Sequence, residues 1–203
     1  MEMCGRYLLS VDVEEILQHY GIVKGWYANN RMPDWTPEVF PSNTVPVVIN
    51  RTGKELVPMK WGFASPNGKG LIINSRGETV DLRPMFRRAF RQKRCIVPAN
   101  AFFEWGRVGK ENAKYQIHMK QLSIFSMAGI YEDFSDKDGC PYTAFSILTT
   151  TPNPLLFRIH DRMPVILTRE REDIWLENGV QDFSLLKSLI CPYEEEEMIM
   201  EKV

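Results

Sequence analysis

Along much of this chain apolar and polar residues alternate with the two-residue period of strands, and only short stretches carry helical spacing. Val13, Ile16, Leu17 and Tyr20 fall on one face of a helix, with Ser10 as its cap and Gly21 as its stop. Residues 25–46 are rich in Pro, Asn and Trp and predict a long loop, a kind of segment that often carries function. Residues 45–50 and 55–63 predict strands joined by a turn at Thr52-Gly53, and 71–73 a short apolar strand. Residues 83–93 predict a helix with Pro84 in its first turn and an apolar stripe of Met85, Phe86, Ala89 and Phe90. Five strand-like runs follow, at 94–98, 101–107, 115–119, 124–131 and 143–149, with a hairpin turn at 136–139. A short helix after Pro154, a strand over 162–167 and helices near 169–177 and 182–190 complete the pattern. The expected fold is α+β: one domain with a mainly antiparallel, barrel-like core and flanking helices.

Composition narrows the class. At 203 residues the chain suits one domain with a substantial core. No apolar run approaches the ~20 residues of a membrane span, and the N-terminus lacks the pattern of a secretory signal, so the expected home is the cytoplasm. The four cysteines, Cys4, Cys95, Cys140 and Cys191, are scattered without a CxxC, which argues against a disulfide framework and a structural zinc site. Net charge is −1. Residues 193–203 hold five glutamates and one lysine and read as an acidic tail; without them 24 basic and 21 acidic residues remain, a body of +3. Six basic residues lie between Arg83 and Arg94 with no acid among them.

Four stretches carry candidate chemistry. In Met3-Cys4-Gly5-Arg6, a start or cleavage at Met3 makes Cys4 the N-terminal residue, with α-amine and thiol on one carbon skeleton. Such a pair condenses with an aldehyde to an imine and closes to a five-membered ring. Asn74-Ser75-Arg76-Gly77-Glu78-Thr79 lies at a strand end. In Phe102-Phe103-Glu104-Trp105 alternation sends Glu104 to the face opposite Phe103 and Trp105, where burial would suit an acid/base. His160-Asp161-Arg162 joins a proton shuttle to an anion-binding guanidinium. The bland readings are an ordinary terminus, a turn bonded to its own backbone, a solvent-facing Glu and a structural His. The basic helix with Arg6, Arg76 and Arg162 would offer phosphate contacts, and Trp26, Trp35, Trp61 and Trp105 stacking platforms, unless they are a solvated face and core packing. No two histidines have ligand spacing, so neither metal nor cofactor is expected.

These pieces occur in a fixed order, together with Trp61-Gly62-Phe63, Arg94-Cys95-Ile96-Val97-Pro98-Ala99-Asn100, Ala128-Gly129-Ile130-Tyr131-Glu132 and Thr149-Thr150. In this order they resemble the SRAP family, the SOS-response-associated peptidases also called abasic-site processing proteins, from Cys4 to about Trp175. The resemblance implies a groove for single-stranded DNA and a thiazolidine crosslink between the N-terminal cysteine and the ring-opened aldehyde of an abasic site. It implies Cys4 as nucleophile, Asn74 as a positioning group, Glu104 as acid/base and His160 as proton carrier at the sugar. Arg6, Arg76 and Arg162 would hold phosphates, and Trp61 and Thr149 would line the groove. Arg6 and a protonated His160 would also lower the Cys4 thiol pKa. A peptidase activity that removes the residues before the cysteine, a possible lyase activity, single-stranded DNA with abasic sites as partner and a monomeric state complete the expectation.

The sequence departs from the family pattern in three places. Cys4 stands behind Met1 and Glu2, so residues 1–3 read as a leader or a misassigned start ahead of a domain over 4–192. Pro41-Ser42-Asn43 lacks a tyrosine, and Ala64-Ser65-Pro66-Asn67 lacks a tryptophan. Two rival functions share these residues: a cysteine peptidase acting in trans through Cys4, His160 and Glu104, and a non-catalytic single-strand binder.

Overall fold

The structure, a computed structural model, describes residues 5–23, 31–108, 111–180 and 182–203. Cys4, the residues before it and Trp26 lie outside that set. The elements run β1 (Arg6–Leu8), α1 (Val13–Tyr20), β2 (Glu38–Val39), β3 (Thr44–Asn50), β4 (Lys54–Trp61), β5 (Phe63–Ala64), β6 (Leu71–Ile72) and β7 (Asn74–Arg76). There follow α2 (Pro84–Gln92), β8 (Arg94–Ala99), β9 (Ala101–Val108), β10 (Glu111–Met119), β11 (Phe125–Ser135) and β12 (Pro141–Thr150). The last are α3 (Pro154–Phe157), β13 (Met163–Pro164), β14 (Ile166–Leu167), α4 (Arg169–Leu176), α5 (Phe183–Ser188) and β15 (Met198–Lys202).

The expected α+β class with a barrel-like core is what folds. Strands β4, β3, β8, β11 and β12 pair in that order, and β12 closes on β4 to make a five-stranded barrel. The closing pair is parallel, with Phe145 opposite Trp61, and the others are antiparallel. Closure removes the free edges, and side chains fill so narrow a barrel. Every residue of β8 is buried, because α2 and α4 cover its outer side. A second sheet, β15-β10-β9-β1-β2, is antiparallel throughout. The chain crosses from barrel to sheet at Asn100, whose side chain accepts from the Ser10 amide at 2.6 Å and donates to the Ser123 carbonyl.

Three details correct the sequence expectation. Asp12, not Ser10, caps α1, accepting from the Glu15 amide at 2.8 Å; Ser10 is engaged with Asn100. Residues 74–76 form a strand paired with β12 rather than a turn. The stretch read as an acidic tail is tied into the fold: a 3-10 turn over Glu195–Glu197 leads into β15, which pairs with β10 from Met119↔Met198 to Tyr115↔Lys202.

Helices are fastened to the barrel through buried polar groups. Tyr20 of α1 shares a 2.9 Å hydrogen bond with Ser126 on β11, and Ser126 donates at 2.7 Å to Glu172 of α4. Arg169 donates to the second Glu172 oxygen at 3.0 Å and to the His19 carbonyl at 2.7 Å, so the buried carboxylate is satisfied from both sides. Arg94, the last residue of the basic run, is buried; it donates to the carbonyls of Phe90 and Arg91 at the end of α2 and of Trp175 and Glu177 at the end of α4. Burial lowers its pKa to about 10, which still leaves it charged at neutral pH.

Candidate active site

β1, β9 and the turn after α3 pack together, and Glu104 and His160 are carried by the last two. Register sets the arrangement. Arg6 pairs with Phe103 and Tyr7 with Phe102, so the sheet has an inner face with Tyr7, Phe102 and Glu104 and an outer face with Arg6, Phe103 and Trp105. Continued by one step, the register sets Gly5 opposite Glu104. Glu104 is a buried carboxylate, 2% exposed.

The turn that carries His160 seats on β9 through a glycine. A Cβ on Gly106 would lie 2.3 Å from the Cβ of Ile159 and 2.9 Å from its Cα, so only glycine lets this turn seat against β9. Glu104 is two residues along the strand on that face, about 7 Å away. The His160 side chain is mostly buried, with Nδ1 3.0 Å from Asp161 Oδ1 and 3.1 Å from the Arg162 amide. Burial lowers its pKa, with Asp161 opposing and Arg162 assisting, so the ring is neutral at neutral pH. The expected help of a protonated His160 to the thiol is therefore corrected.

Asn74 opens β7, opposite Ile147 of β12. Below it Ser75 and Ser146 share a buried 2.7 Å hydrogen bond. Just before it the Ile73 carbonyl accepts from the Trp61 indole at 3.1 Å. Trp61 is fully buried, edge-on to Tyr7 at 5.2 Å and stacked on Phe145 at 6.3 Å. It cannot offer a face to a ligand; it is a packing hub joining the N-terminal strand to the Asn74 strand. Thr149 is buried as well, and its carbonyl accepts from the Gly77 amide at 2.9 Å.

The three arginines separate. Arg162, 14% exposed, makes a two-pronged ion pair with Glu78 and donates to the Thr149 carbonyl at 2.8 Å. It anchors the segment after β7 that carries Glu78 rather than standing open to a phosphate, and its hydrogen bond holds the Glu78 carboxyl below its usual pKa. Arg6 lies on the outer face, its guanidinium 4.6 Å from the Phe40 ring and 5.1 Å from Trp105, with Glu38 3.3 Å away. Arg76 is exposed. Sequence reasoning missed Lys187 of α5, whose ammonium donates to the carbonyls of Gly77 and Glu78 and to Asp81 at 2.8–2.9 Å. A lysine on a short amphipathic helix carries no signal of such a clamp.

Cys95 is buried, which pushes its thiol pKa well up and makes it inert; Cys140 and Cys191 are free. Among the described residues no group of three or more His, Cys, Asp and Glu side chains comes together to hold a metal ion, and no helix is long and apolar enough to cross a membrane.

The family model for the SOS response associated peptidase (SRAP) matches residues 3–203. The chain belongs to the SRAP family. SRAP relatives in Bacillus subtilis (strain 168) include the abasic site processing protein YoqW, 36% identical over 203 residues that cover 97% of this chain and 90% of that protein. The abasic site processing protein YoaM of the same organism is 35% identical, with coverage of 97% and 88%. A crystal structure of a protein from Bacteroides thetaiotaomicron superposes with a TM-score of 0.86 at 30% identity, over 98% of this chain and 92% of that one.

Proposed function

We propose that this SRAP protein acts in DNA repair by capturing abasic sites in single-stranded DNA as a covalent adduct on Cys4. The reading is supported by the packing of β1, the Glu104 strand β9 and the turn that carries His160 against one another, in a chain whose relatives are named abasic site processing proteins.

The chemistry balances without an outside reagent. The Cys4 amine attacks the C1′ aldehyde of the ring-opened deoxyribose to give a carbinolamine. Glu104, as its acid, protonates the departing hydroxyl, water leaves, and an imine forms. The thiol sulfur then adds to the imine carbon, its proton moves to nitrogen, and a thiazolidine closes with net loss of one water. His160, neutral at working pH, carries the proton at the sugar oxygen as the furanose ring opens. Asn74 holds the amine or the sugar. An aldehyde is an electrophile that intact DNA lacks, so selection needs no base readout. Arg76, exposed at the end of β7, is the arginine best situated for a phosphate. The same site removes the residues ahead of Cys4.

Intact mass first establishes whether the purified protein begins at Cys4. That protein, mixed with single strands containing an abasic site, should give an adduct that survives SDS. Cys4→Ala should give none, and Glu104→Gln should slow adduct formation about 10²–10⁴-fold. Protein with a free Cys4 terminus that forms no adduct would refute the reading. Full removal of the leader in Glu104→Gln would refute the self-processing part.

A further inference from the structure

Phe157 is the last residue of α3 and is 72% exposed, while its neighbour Leu156 is fully buried. The turn does not end there. The amides of Ile159 and His160 both donate to the Leu156 carbonyl at 2.9 Å, and Arg158 has helical backbone angles. Residues three apart in such a turn project from the same side. Phe157 therefore lies one turn ahead of His160, its ring in solvent where the His160 side chain is mostly buried. The segment is stiffly held: Asn153 caps α3 by accepting from the Leu156 amide at 2.9 Å, and its side chain also donates to the Tyr193 carbonyl at 2.9 Å. Core packing does not use this ring, and Arg158 beside it is exposed.

We infer that Phe157 is a stacking platform for the nucleobase next to the abasic sugar, with Arg158 on the adjoining phosphate. The inference rests on the proposed function, and it adds how a lesion with no base is held in register. An abasic sugar has no ring of its own to anchor it, and its neighbouring base has lost a stacking partner. An aromatic face one turn ahead of His160 replaces that partner, and any base will do, because every base has a π-face. A cation next to the ring suits the nucleotide's phosphate. Trp61, expected to serve as such a platform, is buried and cannot.

The test uses single strands carrying a tetrahydrofuran abasic analogue, which has no aldehyde and so reports binding without capture. 2-Aminopurine is placed on the 5′ or the 3′ side of the analogue. Binding of the wild-type protein should quench the probe on one side. Phe157→Ala should abolish the quenching and weaken binding on the order of tenfold, with an unchanged salt slope and melting temperature. Phe157→Trp should restore both. Arg158→Gln should lower the salt slope by about one and leave the quenching intact. Equal quenching and affinity in wild type and Phe157→Ala, or no binding of the analogue strand, would overturn the stacking role; an unchanged slope in Arg158→Gln would overturn the phosphate contact. Adduct formation on true abasic strands is scored separately, so failure of capture and failure of stacking give different results.

Discussion

At the scale of single residues, His160 shows how partners choose a protonation state. Its Nδ1 lies near both a donor, the Arg162 amide, and an acceptor, the Asp161 carboxylate. A neutral Nδ1 takes the amide hydrogen; a protonated one donates to the carboxylate. It cannot do both. Burial favours the neutral ring, and the Arg162 amide that donates to Nδ1 selects the tautomer with its hydrogen on Nε2. A proton titration by NMR should find the His160 midpoint below 6.5, assigned by loss of the signal in His160→Gln. Asp161 is the one neighbour that raises the midpoint, so Asp161→Asn should move it lower still. The sign for stability follows. As pH falls below the unfolded value of 6.5, the unfolded chain takes up this proton first, so the group destabilises the fold toward its lower folded midpoint and has no effect above 6.5. A midpoint above 6.5 would contradict the burial argument. Gly106 offers a steric companion test. Gly106→Ala must push Ile159, backbone included, off β9. It should cost about 1–3 kcal/mol in stability and, by displacing His160, slow capture more than the lost stability accounts for.

At the scale of elements, charged side chains act here by holding backbone. Arg94 satisfies the last carbonyls of α2 and α4 together. Arg94→Met fills the volume but leaves those carbonyls buried without donors, so chemical denaturation should show a loss of at least ~3 kcal/mol. Lys187 ties α5 to the loop after β7 through three short hydrogen bonds. Lys187→Met should raise amide hydrogen exchange over residues 77–82 and weaken DNA binding through Arg76, while the barrel amides stay protected. These are also the places where sequence reading fell short, and for one reason. The α1 stripe, the Gly21 stop, Pro84 at the start of α2 and the alternation that turned Glu104 inward are local patterns, and all were legible. Arg94 sat inside a basic run with nothing local to mark it as buried, because two of its four partners lie some eighty residues away. Trp61 looked like a platform until Tyr7 and Phe145 closed over it. The pairing of Arg162 with Glu78 joins two motifs that the sequence shows separately. Long-range partners decide burial, and burial decides whether a polar or aromatic residue supports a site or meets a ligand.

At the scale of the whole molecule, the C-terminal glutamates pose the sharpest question, because composition and topology point opposite ways. By composition, residues 193–203 are a solvated tail whose removal would unmask a basic body and leave stability alone. By topology they are structural. β15 covers the edge of β10, Met198 is buried, and the Tyr193 carbonyl accepts from Asn153, the cap of the helix that presents His160. Removing the segment exposes a strand edge, opens the core at Met198 and leaves the Asn153 amide without that acceptor. One buried Met and five residues of ladder are worth roughly 3 kcal/mol, which in a chain of this size corresponds to roughly 6–12 °C. A protein ending at Pro192 should therefore melt lower by about that amount. It should also associate through the bared edge of β10, visible as higher-order species in size-exclusion chromatography. Capture should fall in parallel, because α3 loses part of its footing. A truncated protein with an unchanged melting temperature and a monomeric profile would return the segment to the status of a tail. Replacing Glu194–Glu197 with glutamines separates charge from pairing: if pairing is what matters, that variant keeps the melting temperature and changes only the salt dependence of DNA binding.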